Sequence, residues 1–160
     1  FVPSTSISRE RSQMRKAIPL RVIAGEAINA HYQAGPDAHI AVTTGATMKL
    51  DRWQLQALIA HEQGHRALHH EWIQAAFMSI AFPAMLLTPV LMGVAAGGFL
   101  SLWFITAGTL LKADFEIAAD EYALELTNRS AILSALKRIQ AERLWNWQLT
   151  LRIWILEHTK

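Results

Sequence analysis

Apolar residues change their rhythm along the chain, and each change predicts a different kind of element. From Leu20 to Thr44 they come in short runs of mixed polarity, Leu20 to Ala24 and Asn29 to Tyr32, followed by the turn signal Gly35-Pro36-Asp37. His39 to Thr44 (HIAVTT) then alternates as a strand before Gly45. A small sheet of about three strands fits this stretch. Asp51 stands where a helix should begin, with Gln54 three positions on as a capping-box partner and Leu55, Leu58 and Ile59 supplying an apolar face. The pattern predicts a helix from about Arg52 to Glu71.

From Trp72 to Leu111 the rhythm gives way to a 40-residue stretch without a charged side chain, broken only by Gln74, Ser79, Thr88, Ser101, Thr106 and Thr109. One bilayer crossing takes about 20 residues, so the length suits two spans. Gly93 and Gly97-Gly98 supply chain-reversing residues near the middle. The expected element is a helical hairpin, roughly 72–92 and 94–111, with Pro83 and Pro89 kinking its first arm. The alternative is a hairpin buried inside a soluble or oligomeric protein.

Beyond Lys112, Asp114 to Leu126 is helix-like, Asn128 reads as a left-handed cap, and a new helix starts at Ser130 and runs toward Glu157. Ile132, Leu136 and Ile139 mark its packing face. Trp145, Trp147 and Trp154 continue that stripe or form an aromatic belt at a lipid surface. Residues 4–16, polar and basic, form a first helix or a loose arm ended by Pro19. The fold class expected is mainly α with a small β-sheet (α+β), built as a single domain over residues 1–160 with 72–111 as its transmembrane hairpin.

Composition narrows the chemistry. Lys plus Arg number 15 against 13 for Asp plus Glu, too even a balance for a nucleic-acid partner. Cysteine is absent, so a transition metal would need imidazole and carboxylate ligands, and seven histidines keep that option open. Phe1 is not an initiator methionine and no signal-peptide pattern follows it, so the chain is expected to be a processed or partial product. All Lys and Arg lie on the side of the two hairpin ends, which places that side in the cytoplasm if the hairpin spans.

His61-Glu62-Gln63-Gly64-His65 places two imidazoles one helical turn apart on one face, where they can share a tetrahedral cation. Glu62 then falls beside the open coordination position and can take a proton from metal-bound water. The competing reading is a pair of surface histidines at helical spacing. A third ligand of the metzincin kind would need glycine at position 68 and histidine at 71, where this chain has Leu68 and Glu71. A carboxylate from a later helix is the other solution. Glu116 and Asp120 provide two acids on one helical face, Glu116 to ligate and Asp120 to accept from the far nitrogen of a ligating histidine. With Glu121 and Glu125 nearby, that face also reads as a solvated acidic surface. His69 and His70 are assigned to the surface near the bilayer, and His31, His39 and His158 have no evident partner.

These residues resemble the HtpX-like and CAAX-prenyl-protease-type integral-membrane zinc metallopeptidases, over roughly Leu20 to Ile139. The resemblance rests on Asn29-Ala30, AVTTG (41–45), LIAHEQGH (58–65), a hydrophobic insert, EIAADEYAL (116–124) and LTNRSAILSAL (126–136). It implies a gluzincin-like core with the hairpin inserted between the two metal motifs, Zn2+ held by His61, His65 and Glu116, and Asp120 supporting a ligand from behind. It also implies edge pairing of substrate with the strand near 39–45, an Asn29 that lines the cleft, and an oxyanion role for Arg129. Either residue is also explained locally, Asn29 by a turn and Arg129 by a helix end. The chain departs from the family in its length, in lacking a preceding transmembrane hairpin, and in Asn128, where glycine is common.

The function expected is that of a zinc-dependent, membrane-associated endopeptidase. Glu62 would activate zinc-bound water against misfolded or membrane-associated polypeptides, as in protein quality control. The expected partners are a polypeptide substrate and the lipid bilayer, and the expected location is a bacterial inner membrane with the active site facing the cytoplasm. A prenyl-peptide processing enzyme and a non-catalytic zinc-binding membrane adaptor are the rivals.

Overall fold

A computed structural model describes residues 18–142 and 146–159. The polar stretch 4–16, read as a helix or arm, and Trp145 of the tryptophan stripe lie outside the described residues. Among those described, three strands precede six helices: β1 (Leu20–Ile23), β2 (Ala30–Gln33), β3 (His39–Thr43), α1 (Thr44–Lys49), α2 (Arg52–Ala67), α3 (His70–Met92), α4 (Val94–Leu126), α5 (Arg129–Glu142) and α6 (Trp147–His158). The chain is mainly helical with one small sheet.

The sheet order is β1-β3-β2, with β1 parallel and β2 antiparallel to β3. The Gly35 turn, at φ 127°, reverses the chain between β2 and β3. β3 is therefore central, paired on both sides, and Ile40 to Thr43 are buried. This overturns the expectation that the strand near 39–45 offers a free edge to substrate, because its backbone groups are already taken by β1 and β2. Thr43 ends the strand and caps α1, its hydroxyl accepting from Ala46 N–H at 3.2 Å and donating to Ala27 C=O at 2.7 Å. Gly45 N–H donates to Gly25 C=O, and a Cβ at Gly45 would lie 2.1 Å from the Glu26 carbonyl, so no larger residue fits that junction.

The capping box at Asp51 forms: its carboxylate accepts from Trp53 and Gln54 N–H at 2.8 Å, and Gln54 Oε1 accepts from Asp51 N–H at 3.1 Å. α2 ends at Ala67, short of the expected Glu71, because His69 takes the left-handed conformation (φ 56°) and the chain restarts as α3. Among the described residues other than glycine, His69 alone has positive φ. Asn128 is accordingly not a left-handed cap. Its Oδ1 instead accepts from Ala131 N–H at 2.8 Å and so caps α5 from the front. The last helix expected from Ser130 toward Glu157 is two helices, and Asn146 caps the second by accepting from Gln148 and Leu149 N–H.

α3 and α4 form the hairpin, turning at Gly93 (φ 90°). α4 does not stop where the apolar stretch ends near Lys112 but continues unbroken to Leu126, carrying Glu116 and Asp120 on its polar half. Both helices are long and apolar enough to cross a membrane, with mean hydropathy 1.9 and 1.7, and only 6 % of each apolar window is buried. The hairpin buried within its own soluble fold is not what forms. The core lies elsewhere, where Ile28, Ile40 and Val42 meet Ala57 and Ala60 of α2, Ile132 and Leu136 of α5, and Leu149 and Ile153 of α6.

Candidate metal centre

α2 and α4 pack in close contact, and a small residue sets how close. A Cβ on Gly64 would stand 3.0 Å from the Cα and carbonyl oxygen of Ala119. That approach brings His61 and His65 of α2 against Glu116 and Asp120 of α4. His61 Nε2 lies 3.1 Å from His65 Nε2, Glu116 Oε2 lies 3.4 Å from His61 Nε2, and Glu116 Oε1 lies 3.6 Å from His65 Nε2. Ligand bonds of about 2.0–2.1 Å arranged tetrahedrally put neighbouring donor atoms roughly 3.3 Å apart. The imidazole pair and the Glu116 oxygen nearer each ring lie close to that value, and one donor atom from each of the three residues lies within 4.8 Å of the others, a grouping that can hold a metal ion.

Charge points the same way. Asp120 Oδ1 sits 2.8 Å from His61 Nδ1, and Arg152 of α6 forks across both acids, Nη1 to Glu116 Oε2 at 2.6 Å and Nε to Asp120 Oδ2 at 2.7 Å. Its Nη2 donates to Asp120 Oδ1 at 2.7 Å. With Glu116 and Asp120 ionised against the guanidinium of Arg152, the cluster carries one formal negative charge, and ionisation of Glu62 adds a second, a balance that favours a cation.

Burial dominates the acid–base properties, and the partners decide their sign. His65 is pushed down to about 4 by burial and by the charge of His61, which keeps it a neutral imidazole. Burial and Arg152 oppose a proton on His61, but hydrogen bonds to Asp120 and Glu116 outweigh them and raise its pKa. Glu116 and Asp120 lie on the polar part of α4, beyond the apolar stretch. Burial raises both, yet the His61 hydrogen bond and Arg152 prevail, holding Glu116 at about 2 and Asp120 below its ordinary value. Glu62 goes the other way: burial lifts it to about 7 despite His61 and the Tyr32 N–H that donates to its Oε2 at 2.8 Å.

A cavity of about 210 Å3 opens onto these residues, lined by Asn29 and Ala30 at the start of β2, by His61, Glu62 and His65, and by Glu116 and Arg152. A larger cleft of about 540 Å3 lies between α3 and α4 and shares Lys112, Asn146 and Gln148 with it.

The model of Peptidase family M48 matches residues 7–151. The chain belongs to this family. M48 members are zinc metallopeptidases, so metallopeptidase activity and a polypeptide substrate follow from membership. The searches of curated proteins and of solved structures each returned no match.

Within this M48 chain the structure brings His61, Glu62, His65, Glu116 and Asp120 together and places Asn29 at the cavity wall. It does not bring Arg129 there. That side chain, at the first turn of α5, donates to the Thr159 carbonyl, and the guanidinium at the cavity is that of Arg152. Arg152 was legible only as a lone cation in the apolar run Leu149–Leu156, a placement that demands buried partners. His70, expected at the surface, is 5 % exposed, with its Nδ1 2.8 Å from His65 Nδ1. The break at His69 turned it inward, and no periodicity announces that break.

Proposed function

We propose that this M48 chain is a membrane-integral zinc endopeptidase of the HtpX-like kind, a single gluzincin-like domain over residues 1–160 whose segment 72–111 spans the bilayer. The observation that carries the reading is the convergence of one donor atom each from His61, His65 and Glu116 to within 4.8 Å of one another, beside a buried Glu62.

His61, His65 and Glu116 hold the ion, and Asp120 keeps the His61 proton on Nδ1 so that Nε2 offers its lone pair. Bound there, zinc supplies Lewis acidity that polarises a peptide carbonyl and acidifies water. Glu62 takes the proton from the attacking water and delivers it to the leaving amine, and a pKa lifted toward neutrality suits both halves of that transfer. Arg152 holds Glu116 and Asp120 in register and stands where Arg129 was expected to act.

Substrate enters along β2 instead of β3. Thr43 N–H donates to Asn29 C=O, so alternation points the peptide groups of Ala30 and Tyr32 away from β3, and Tyr32 N–H indeed meets Glu62. A substrate strand added at that edge runs past the catalytic carboxylate. The cleft between α3 and α4, which shares Lys112, Asn146 and Gln148 with the cavity, favours misfolded or membrane-associated polypeptides. The charge-free hairpin, with all Lys and Arg outside it, supports a bacterial inner-membrane location with the site facing the cytoplasm.

Metal analysis of detergent-purified protein, with cleavage of an unfolded casein-type substrate by wild type and Glu62→Gln, tests the reading. One zinc per chain and cleavage lost in Glu62→Gln is the expected result. Zinc without cleavage by wild type would indicate an adaptor, and no zinc would overturn the site.

A further inference from the structure

His65 has a partner on each side of its ring. Nε2 faces His61 and Glu116, while Nδ1 meets His70 Nδ1 at 2.8 Å, the two rings standing edge to face with centroids 5.0 Å apart. His70 is held from behind by Phe115, stacked at 4.2 Å and 9°, and both rings are buried. Two imidazole nitrogens at this distance are satisfied only if one donates and the other accepts. A His65 that offers its Nε2 lone pair to a metal carries its proton on Nδ1. His65 Nδ1–H therefore donates, His70 Nδ1 accepts, and the His70 proton sits on Nε2.

We propose that His70 is a positioning residue for His65, fixing the tautomer and ring orientation that aim Nε2 at the metal, as Asp120 does for His61. This rests on the metal site proposed above. The two ligating imidazoles are thus steadied by different elements: His61 by an acid on α4, His65 by the first residue of α3. Phe115, next to ligand Glu116, closes the circuit by packing the accepting ring in place.

Two substitutions separate the hydrogen bond from the packing. His70→Phe keeps an aromatic ring for Phe115 and removes the acceptor. His70→Asn removes the ring but places Oδ1 near the position of the lost Nδ1. Zinc affinity by chelator competition should fall about 10–100-fold in His70→Phe and stay near wild type in His70→Asn. The visible spectrum of the Co2+-substituted protein should shift only in His70→Phe. Wild-type affinity in His70→Phe, or equal loss in both variants, overturns the proposal. Imidazole 15N shifts of the zinc-free protein provide a metal-independent arm: wild-type His65 should be protonated on Nδ1. If the wild type binds no zinc, the metal reading fails, and a proton on His65 Nε2 in that spectrum makes His70 the donor and so separately refutes the tautomer that the proposal assigns. Should His70→Phe fail to fold, His70→Asn with an unchanged Co2+ spectrum upholds the proposal and a collapsed spectrum refutes it.

Discussion

Replacing Glu62 by glutamine should abolish cleavage and, in the zinc-free protein, increase stability at alkaline pH. Glu62 is 8 % exposed and the pKa of its carboxyl is lifted to about 7 from 4.5. A carboxyl with a raised folded-state pKa binds more protons folded than unfolded. Its favourable contribution is therefore complete below pH 4.5 and is lost as pH rises through about 7. The gap corresponds to about 3 kcal/mol at 1.36 kcal/mol per unit. Glutamine is neutral throughout and still accepts from Tyr32 N–H through Oε1, so the contact at 2.8 Å survives. Equilibrium denaturation in detergent with a chelator, from pH 4 to 8.5, should show the two proteins equal at the acid end. Glu62→Gln should then be more stable by about 3 kcal/mol above pH 8, with the difference growing by up to about 1.4 kcal/mol per pH unit between. A difference independent of pH, or a wild type more stable at pH 8, would refute the argument that burial governs this group.

Arg152→Met should destabilise the zinc-free protein by about 3–5 kcal/mol, because Glu116 and Asp120 lose their buried cation. Arg129→Ala should change stability by less than about 1 kcal/mol and leave cleavage intact, and parallel melts and casein assays of the two variants decide which arginine serves the site. Gly64→Val forces α2 from α4 where a Cβ already meets Ala119 backbone at 3.0 Å, costing about 1–3 kcal/mol on unfolding and loosening zinc in chelator competition. Asp120→Asn should weaken zinc binding about 10–100-fold with the fold retained by circular dichroism.

Local chemistry was readable wherever it depended on spacing within one element. The i,i+4 histidines, the Asp51–Gln54 box and the hairpin turning near Gly93 all follow from rules that act over a few residues. Glu116 and Asp120 were readable because one helix carries both. What escaped depends on how elements meet. Asn128 has the composition of either cap, and only the path of the chain decides that it caps α5. β3 alternates like an edge strand, yet β1 pairs with it across 20 residues of sequence, so the open edges belong to β1 and β2, and it is β2 whose Tyr32 N–H meets Glu62. Arg152 reaches the acids from the final helix, 32 positions from Asp120, a distance over which no sequence rule operates.

The unbroken course of α4 has a mechanical consequence. At roughly 1.5 Å per residue it is a rod about 50 Å long, with the apolar hairpin turn at one end and Glu116 beyond its middle. α3 carries Pro83 and Pro89 and can bend, whereas α4 contains no proline. Set in a bilayer, a tilt imposed on α4 by membrane thickness would be carried along this proline-free helix toward the carboxylate that completes the ligand set. The geometry of the donor triangle would then report the thickness of the lipid around the enzyme, and peptidase activity reconstituted in lipids of graded chain length would vary with it.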